Sequence, residues 1–200
     1  MKAYYLLITL VLFATACGGS ASTESTSTVQ EMPVADEDYF IVKYVYEGEE
    51  VDKKKTYKTE RVKAVYLDSA NDNPAPAVYL QFPVFTESFV LNVQADKPGD
   101  YKVPLVDGHS LNLSLKVAQT KNGEALVHDF QAEDVTVSIQ SIELKADPTA
   151  KTSIGMTADG YANLKGTFKG TFTMETTRKG AKQTTENVTV EGEFMSGGNF

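Results

Sequence analysis

Tryptophan is absent from this 200-residue chain, cysteine occurs once and histidine twice. A single cysteine can form no internal disulfide. Zinc sites of the Cys₄ or Cys₂His₂ kind are excluded, and most thiol catalysis with them. Lysine and arginine number 19 against 27 aspartates and glutamates, for a net charge of −8. That balance argues against binding nucleic acid or anionic lipid through a general basic surface. Long apolar runs are also lacking. The one candidate, residues 3–14 (AYYLLITLVLFA), is shorter than the roughly 20 residues that a membrane-spanning helix requires. No later segment has a convincing amphipathic-helix period.

What is present begins at the N-terminus. Met1-Lys2, the apolar run and Ala14-Thr15-Ala16 form a short basic region, an apolar region and a small-residue cleavage site, followed at once by Cys17 and then Gly18-Gly19-Ser20. This is the plan of a secretory signal over residues 1–16. Placing the sole cysteine directly after that site resembles the lipobox of bacterial lipoproteins, with Ala14 where the family usually has Leu. The resemblance implies that the Cys17 thiol takes a diacylglycerol, that the signal is cut before it, and that the new amino group is acylated. Two or three long chains, each buried methylene contributing about 0.8 kcal/mol, anchor stably where one would not. Gly18 stands where an Asp would resemble an inner-membrane retention signal. The expected location is therefore the outer membrane, at its periplasmic face, with surface exposure as the alternative. Removal of Lys2 with the signal takes the net charge from −8 to −9.

Residues 17–36 read as the acylated N-terminus and a tether. The stretch GGSASTESTSTVQEMPVAD has too little apolar content to offset the entropy of ordering. From residue 37 to 200 the hydrophobic period is two almost throughout, which predicts one all-β domain. Phe40, Val42, Tyr44 and Tyr46 alternate with Ile41, Lys43 and Val45. Val78, Leu80, Phe82 and Val84 share a face, as do Phe89, Leu91 and Val93, and Leu111, Leu113, Leu115 and Val117. Asn122-Gly123 predicts a type I′ hairpin turn with residues 125–131 as the returning strand. In VTVSIQSIEL the apolar parity changes from Val135, Val137 and Ile139 to Ile142 and Leu144, so a β-bulge near Gln140–Ser141 is expected. About ten short strands imply an antiparallel β-sandwich, with a closed lipocalin-like barrel as the alternative.

The chain closes on GTFKGTFTMETT and VTVEGEFM, with Gly170 among Phe168, Phe172 and Met174, and Gly192 between Val190 and Phe194. Glycines inside paired strands mark bends or close backbone approaches. This G-x-F-x-G…V-x-V-x-G-x-F hairpin resembles the endings of small uncharacterised lipoproteins of the Bacteroidota. The likeness covers about 30 residues beyond the signal and implies no activity.

Chemistry must come from carboxylates, hydroxyls and two imidazoles. Asp107-Gly108-His109-Ser110 holds three triad residue types, but neighbours on one turn cannot form a relay, no G-x-S-x-G occurs, and Asp-Gly before a strand is ordinary turn chemistry. His128 and Asp129 would point to opposite faces of a strand, which leaves a structural or exposed histidine. Asp68-Ser69-Ala70-Asn71-Asp72-Asn73-Pro74 is oxygen-rich but lacks calcium-loop spacing, and a plain turn accounts for it. Asp68-Ser69-Ala70 also resembles the O-glycosylation sequon of Bacteroidota periplasmic proteins, which implies a sugar on Ser69. Asn112 and Asn187 sit in N-glycosylation patterns within expected strands and receive no role. The cluster Lys53-Lys54-Lys55 with Lys58, among five acidic neighbours, reads as a solvated hairpin or loop. Tyr39, Phe40, Tyr44 and Tyr46 read as a strand buried on both faces, with a protein- or glycan-binding patch as the alternative.

The expectation is therefore a membrane-anchored envelope lipoprotein. Its partners are the bilayer, through Cys17, and an envelope protein or component bound by a non-catalytic β-domain. No catalytic, metal or cofactor residues are assigned. The alternatives are a lipocalin-like carrier of a small apolar ligand and, below it, a hydrolase built on two converging carboxylates.

Overall fold

A computed structural model describes residues 37–58, 63–68, 75–82, 87–104, 109–119, 125–152, 154–178 and 184–197. Cys17, Ser69, Val84, Asp107 and the Asn122-Gly123 turn lie outside them. The described residues contain ten strands: β1 (Glu37–Tyr46), β2 (Glu49–Lys58), β3 (Lys63–Leu67), β4 (Ala77–Gln81), β5 (Ser88–Gln94), β6 (Gly99–Val103), β7 (Ser110–Gln119), β8 (Ala125–Ala146), β9 (Gly160–Arg178) and β10 (Thr184–Ser196). The fold is all-β and antiparallel, as the period of two predicts.

The strands form one sheet in the order β2-β1-β10-β9-β3-β4-β5-β7-β8-β6, and β8 also pairs with β9. The sheet therefore folds back on itself. Phe89 of β5 meets Phe40 of β1, Phe168 of β9 and Phe194 of β10 at ring-centroid distances of 5.5, 5.8 and 5.4 Å. None of these strands is paired with β5, so the contacts run face to face across a sandwich-like interior. Phe40, Phe82, Phe89, Phe168, Phe172 and Phe194 are all fully buried there. Edge-to-face and tilted pairs such as Phe40–Phe82 at 5.2 Å are the arrangements that aromatic quadrupoles favour.

The apolar parity places these rings. On β1 the buried residues are Asp38, Phe40, Val42 and Tyr44, while Lys43 and Val45 are exposed and Tyr39 and Ile41 are half-buried. The two-sided burial expected for this strand is thus corrected. One face carries the core, and the other leaves Lys43 and Val45 exposed. The bulge expected near residue 140 is present as a register shift between Ile139 and Ser141. A second shift, between Ala132 and Asp134, switches the buried parity from Phe130 and Ala132 to Val135 and Val137. Two bulges let a single 22-residue strand, β8, run where two shorter ones were expected. They bend it so that it pairs first with β7 and then with β6 along one edge.

The β9–β10 hairpin shows why its glycines stand where they do. The register sets Gly192 opposite Phe168 and Phe194 opposite Gly166. A methyl group on Gly192 would strike Ile41 O and the Phe168 ring, and one on Gly166 would sit 2.7 Å from the Phe194 ring. Each benzyl group thus lies over a glycine on the neighbouring strand, which lets two large rings share a narrow space between curved strands.

The lysine cluster lies in a hairpin, one of its two expected settings, and only its full solvation is corrected. Lys53, Lys54, Lys55 and Lys58 stand on strand β2, which pairs antiparallel with β1. Val51, Lys53, Lys55 and Tyr57 are half-buried, and the residues between them are exposed. Lys55 forms an ion pair with Glu87, and Lys53 Nζ donates to Lys116 O of β7 at 3.2 Å. Lys54, on the other face, stands 4.9 Å from the Tyr39 ring centroid. Inward-pointing lysines on an outermost strand fasten it to the facing layer and discourage further strands from adding there.

Candidate functional site

The chemistry-bearing residues fall into four places. The first is His109, buried just before β7. Its Nε2 accepts from Gln94 N at 3.1 Å and its Nδ1 bonds Lys102 O at 3.1 Å. With a carbonyl on Nδ1 and an N–H on Nε2, the neutral Nδ1–H tautomer satisfies both. The ring ties β5, β6 and β7 together, and neither nitrogen is left to serve a nucleophile. Ser110, the next residue, faces the other way on the strand.

The second place is where β1 faces the start of β8. His128 is fully buried and Asp129 exposed, so the two point to opposite faces as expected. Tyr44 Oη and His128 Nδ1 lie 2.6 Å apart, and the Tyr46 ring lies 4.4 Å from the imidazole by centroids. Phe130 packs edge-on against Tyr44 at 5.0 Å. Thr176, opposite His128 on β9, is buried, and its Oγ1 has no hydrogen-bond partner. Burial first, and then the neighbouring Tyr46, push the Tyr44 phenol far above its ordinary range. A neutral phenol bonded to a sealed imidazole joins β1 to β8, strands that do not pair with each other. That is a fastening between two buried side chains.

The third place holds carboxylates. Asp38, fully buried at the start of β1, accepts from Gly197 N on Oδ1 at 2.8 Å, while Oδ2 has no partner. Burial raises its pKa against the lowering effect of that bond. On the outer surface, a shallow groove of about 340 Å³ is lined by Ser88, Asn112, Ser114, Asp129, Gln131 and Glu175, among others. Asp129 and Glu175 stand directly opposite each other in it, but both are exposed. The burial that usually sets two carboxylates apart as acid and base is missing.

The fourth place is one that sequence reasoning missed. Between β8 and β9, residues 147–159 form a braced loop. Asp147 N donates to Asp159 O and Ala158 N to Ala150 O, each at 3.0 Å, while Thr152 N donates to Met156 O at 2.9 Å. Asp147 Oδ1 accepts from Thr149 N and Oγ1 at 2.7 and 2.6 Å, which holds its carboxyl below the usual range. Gly155, at φ +84°, turns the tip. Asp159 N donates to Tyr66 O at 3.0 Å, and its Oδ2 accepts from Asp68 N at 2.9 Å. Ala150 and Ala158 pack on Val65, with Leu67, Tyr79 and Tyr161 around them, as a second small core. This support presents Ile154 at 75% exposure and Met156 at 55%. The signal was Ser153-Ile154-Gly155-Met156-Thr157, in which the two-residue spacing of Ile154 and Met156 imitates a strand.

The other expected sites divide plainly. Asn112 and Asn187 lie in β7 and β10, as anticipated. Asp68 is bonded through its backbone to Asp159, while Ser69 and Cys17 lie outside the described residues. Comparison of the chain with protein-family models, with curated proteins and with solved structures finds no match.

Proposed function

We propose that this chain is a lipid-anchored lipoprotein of a bacterial outer membrane, held at the periplasmic face, whose β-domain binds an envelope component without catalysing a reaction. The observation that carries the reading is the placement of the only cysteine, Cys17, directly after Ala14-Thr15-Ala16 at the end of a short apolar run. The geometry supports a binding module in one respect. His109 and His128 are engaged in holding strands together, and the outward surface carries the polar groove and the apolar loop tip.

The carrier alternative requires a lumen. The interior instead holds six fully buried phenylalanines in mutual contact, which favours the binding module. O-glycosylation at Ser69 belongs to the same proposal, since the sequon would act in the same compartment. It predicts a glycan mass on the peptide spanning Ser69, and an unmodified peptide would remove it.

The test is Cys17→Ser in cells, followed by fractionation. Release of the protein from membrane to soluble fraction is expected, whereas unchanged membrane association contradicts the anchor. Crosslinking in native envelopes should then capture a partner, and recovery of nothing above background would count against the binding role.

A further inference from the structure

The loop tip lies at the end of the sheet where β1 begins. β1 opens at Glu37 and β9 opens at Gly160, and β10 lies antiparallel between them. β1 and β9 therefore run in the same direction. The loop leading into β9 lies at the end of the sheet where the chain enters the domain. If Cys17 is acylated, that end is joined to the bilayer by residues 18–36, whose composition gives a root-mean-square reach of about 25 Å.

We propose that the Ile154–Met156 tip inserts into the lipid surface that holds Cys17, as a second and weaker contact that fixes which end of the domain faces the membrane. This rests on the lipid-anchor reading. Three features favour lipid as the occupant. The exposed side chains are aliphatic or thioether, and they stand on a short tip braced by backbone hydrogen bonds. The charged residues of positions 145–159 balance, with Lys145 and Lys151 against Asp147 and Asp159, although the whole chain is strongly acidic. Tyr79 and Tyr161, half-buried at the loop's base, are of the type that settles at the boundary between headgroups and hydrocarbon. A shallow apolar tip adds to an acyl anchor in the way that paired membrane signals do.

Because the diacylglycerol occupies the only native thiol, one introduced cysteine can be labelled selectively. Full-length acylated protein carrying Ile154→Cys is labelled with an environment-sensitive fluorophore and reconstituted into vesicles of phosphatidylethanolamine and phosphatidylglycerol. Val45→Cys, at an exposed site on the far end of β1, is the control. Unchanged thermal unfolding of both variants establishes that they fold. The proposal expects blue-shifted emission at position 154, with most of it lost to nitroxide-bearing lipids, and neither effect at position 45. Equal, weak quenching at both positions in vesicle-bound protein overturns the insertion and leaves the anchor standing. Shielding of position 154 in native envelopes but not in vesicles also overturns it, and assigns the loop to a protein. Wild-type protein that takes up the label at Cys17 and fails to float with vesicles defeats the anchor itself, and the insertion with it.

Discussion

Two parts of the molecule use apolar side chains in opposite ways. In the β9–β10 hairpin, Phe168 and Phe194 are buried over facing glycines, with no room for an added methyl group. In the loop between β8 and β9, Ile154 and Met156 stand in solvent on a frame braced by backbone hydrogen bonds. The first arrangement derives its stability from contact between side chains. The second holds its shape through backbone bonds and turn chemistry, so its apolar side chains are free for something outside the domain. Substitution should separate the two sharply.

The largest effect is expected in the hairpin. Phe168→Ala removes a ring that touches Phe89 and Phe172 and should cost about 3–5 kcal/mol, read as a lower urea midpoint. Gly192→Ala tests the same packing from the other side. The new methyl meets Ile41 O as well as the Phe168 ring, and a backbone atom cannot turn aside. A loss of about 1–3 kcal/mol is expected. A neutral result would mean that the strands separate more easily than their register suggests.

Tyr44→Phe probes a polar version of the same interlock. The variant keeps the ring against Phe130 but leaves His128 Nδ1 without its 2.6 Å partner. A buried polar atom that loses its partner costs about 1–3 kcal/mol. Loss of stability with unchanged strand content by circular dichroism would identify the pair as a fastening. Retained stability would mean that water reaches the imidazole.

Much of this was legible beforehand, for a physical reason. Burial on one face of a strand forces a period of two, so Phe40, Leu80, Phe89, Leu113 and Phe172 announced their side of the sheet, and the parity change after Ile139 announced a bulge. The shift at Ala132–Asp134 was hidden because Gln131, Ala132, Glu133 and Asp134 contain no large apolar residue to mark it. The inward turn of Lys53 and Lys55 was hidden because a long lysine can bury its stem and still reach a partner. His128 looked isolated in the sequence because its partner, Tyr44, lies 84 positions away. The loop tip escaped because exposure of Ile154 depends on which turns fold beneath it.

Asp38 supplies a smaller and pH-dependent difference. Burial raises its pKa, so the folded state binds a proton more tightly than the unfolded chain does. Stability from this group is therefore fully present below the unfolded carboxyl value and declines as the pH rises through the raised folded value. Asp38→Asn keeps an oxygen for Gly197 N and carries no charge. It should raise Tm at pH 7, because the variant has no charge to bury. The advantage should shrink as the pH falls through the raised folded value and be gone below the unfolded value of about 4. Carboxyls shifted downward, such as Asp147, respond in the opposite sense, so only the difference between wild type and variant isolates Asp38.

The smallest expected effect completes the contrast. The double change Ile154→Ser with Met156→Ser removes two large apolar side chains, which in the hairpin would unfold much of the population. At the tip both side chains are mostly exposed already, and neither belongs to the cluster formed by Val65, Ala150 and Ala158. The bonds that shape the turn involve Thr152 Oγ1 and backbone atoms, and serine preserves all of them. Stability should therefore change by no more than about 0.5 kcal/mol, as at ordinary surface positions. A loss of several times that would place the two residues among the packed elements and end the distinction between hairpin and loop. A slight gain would fit best, because the variant also removes apolar surface that the free domain leaves in water.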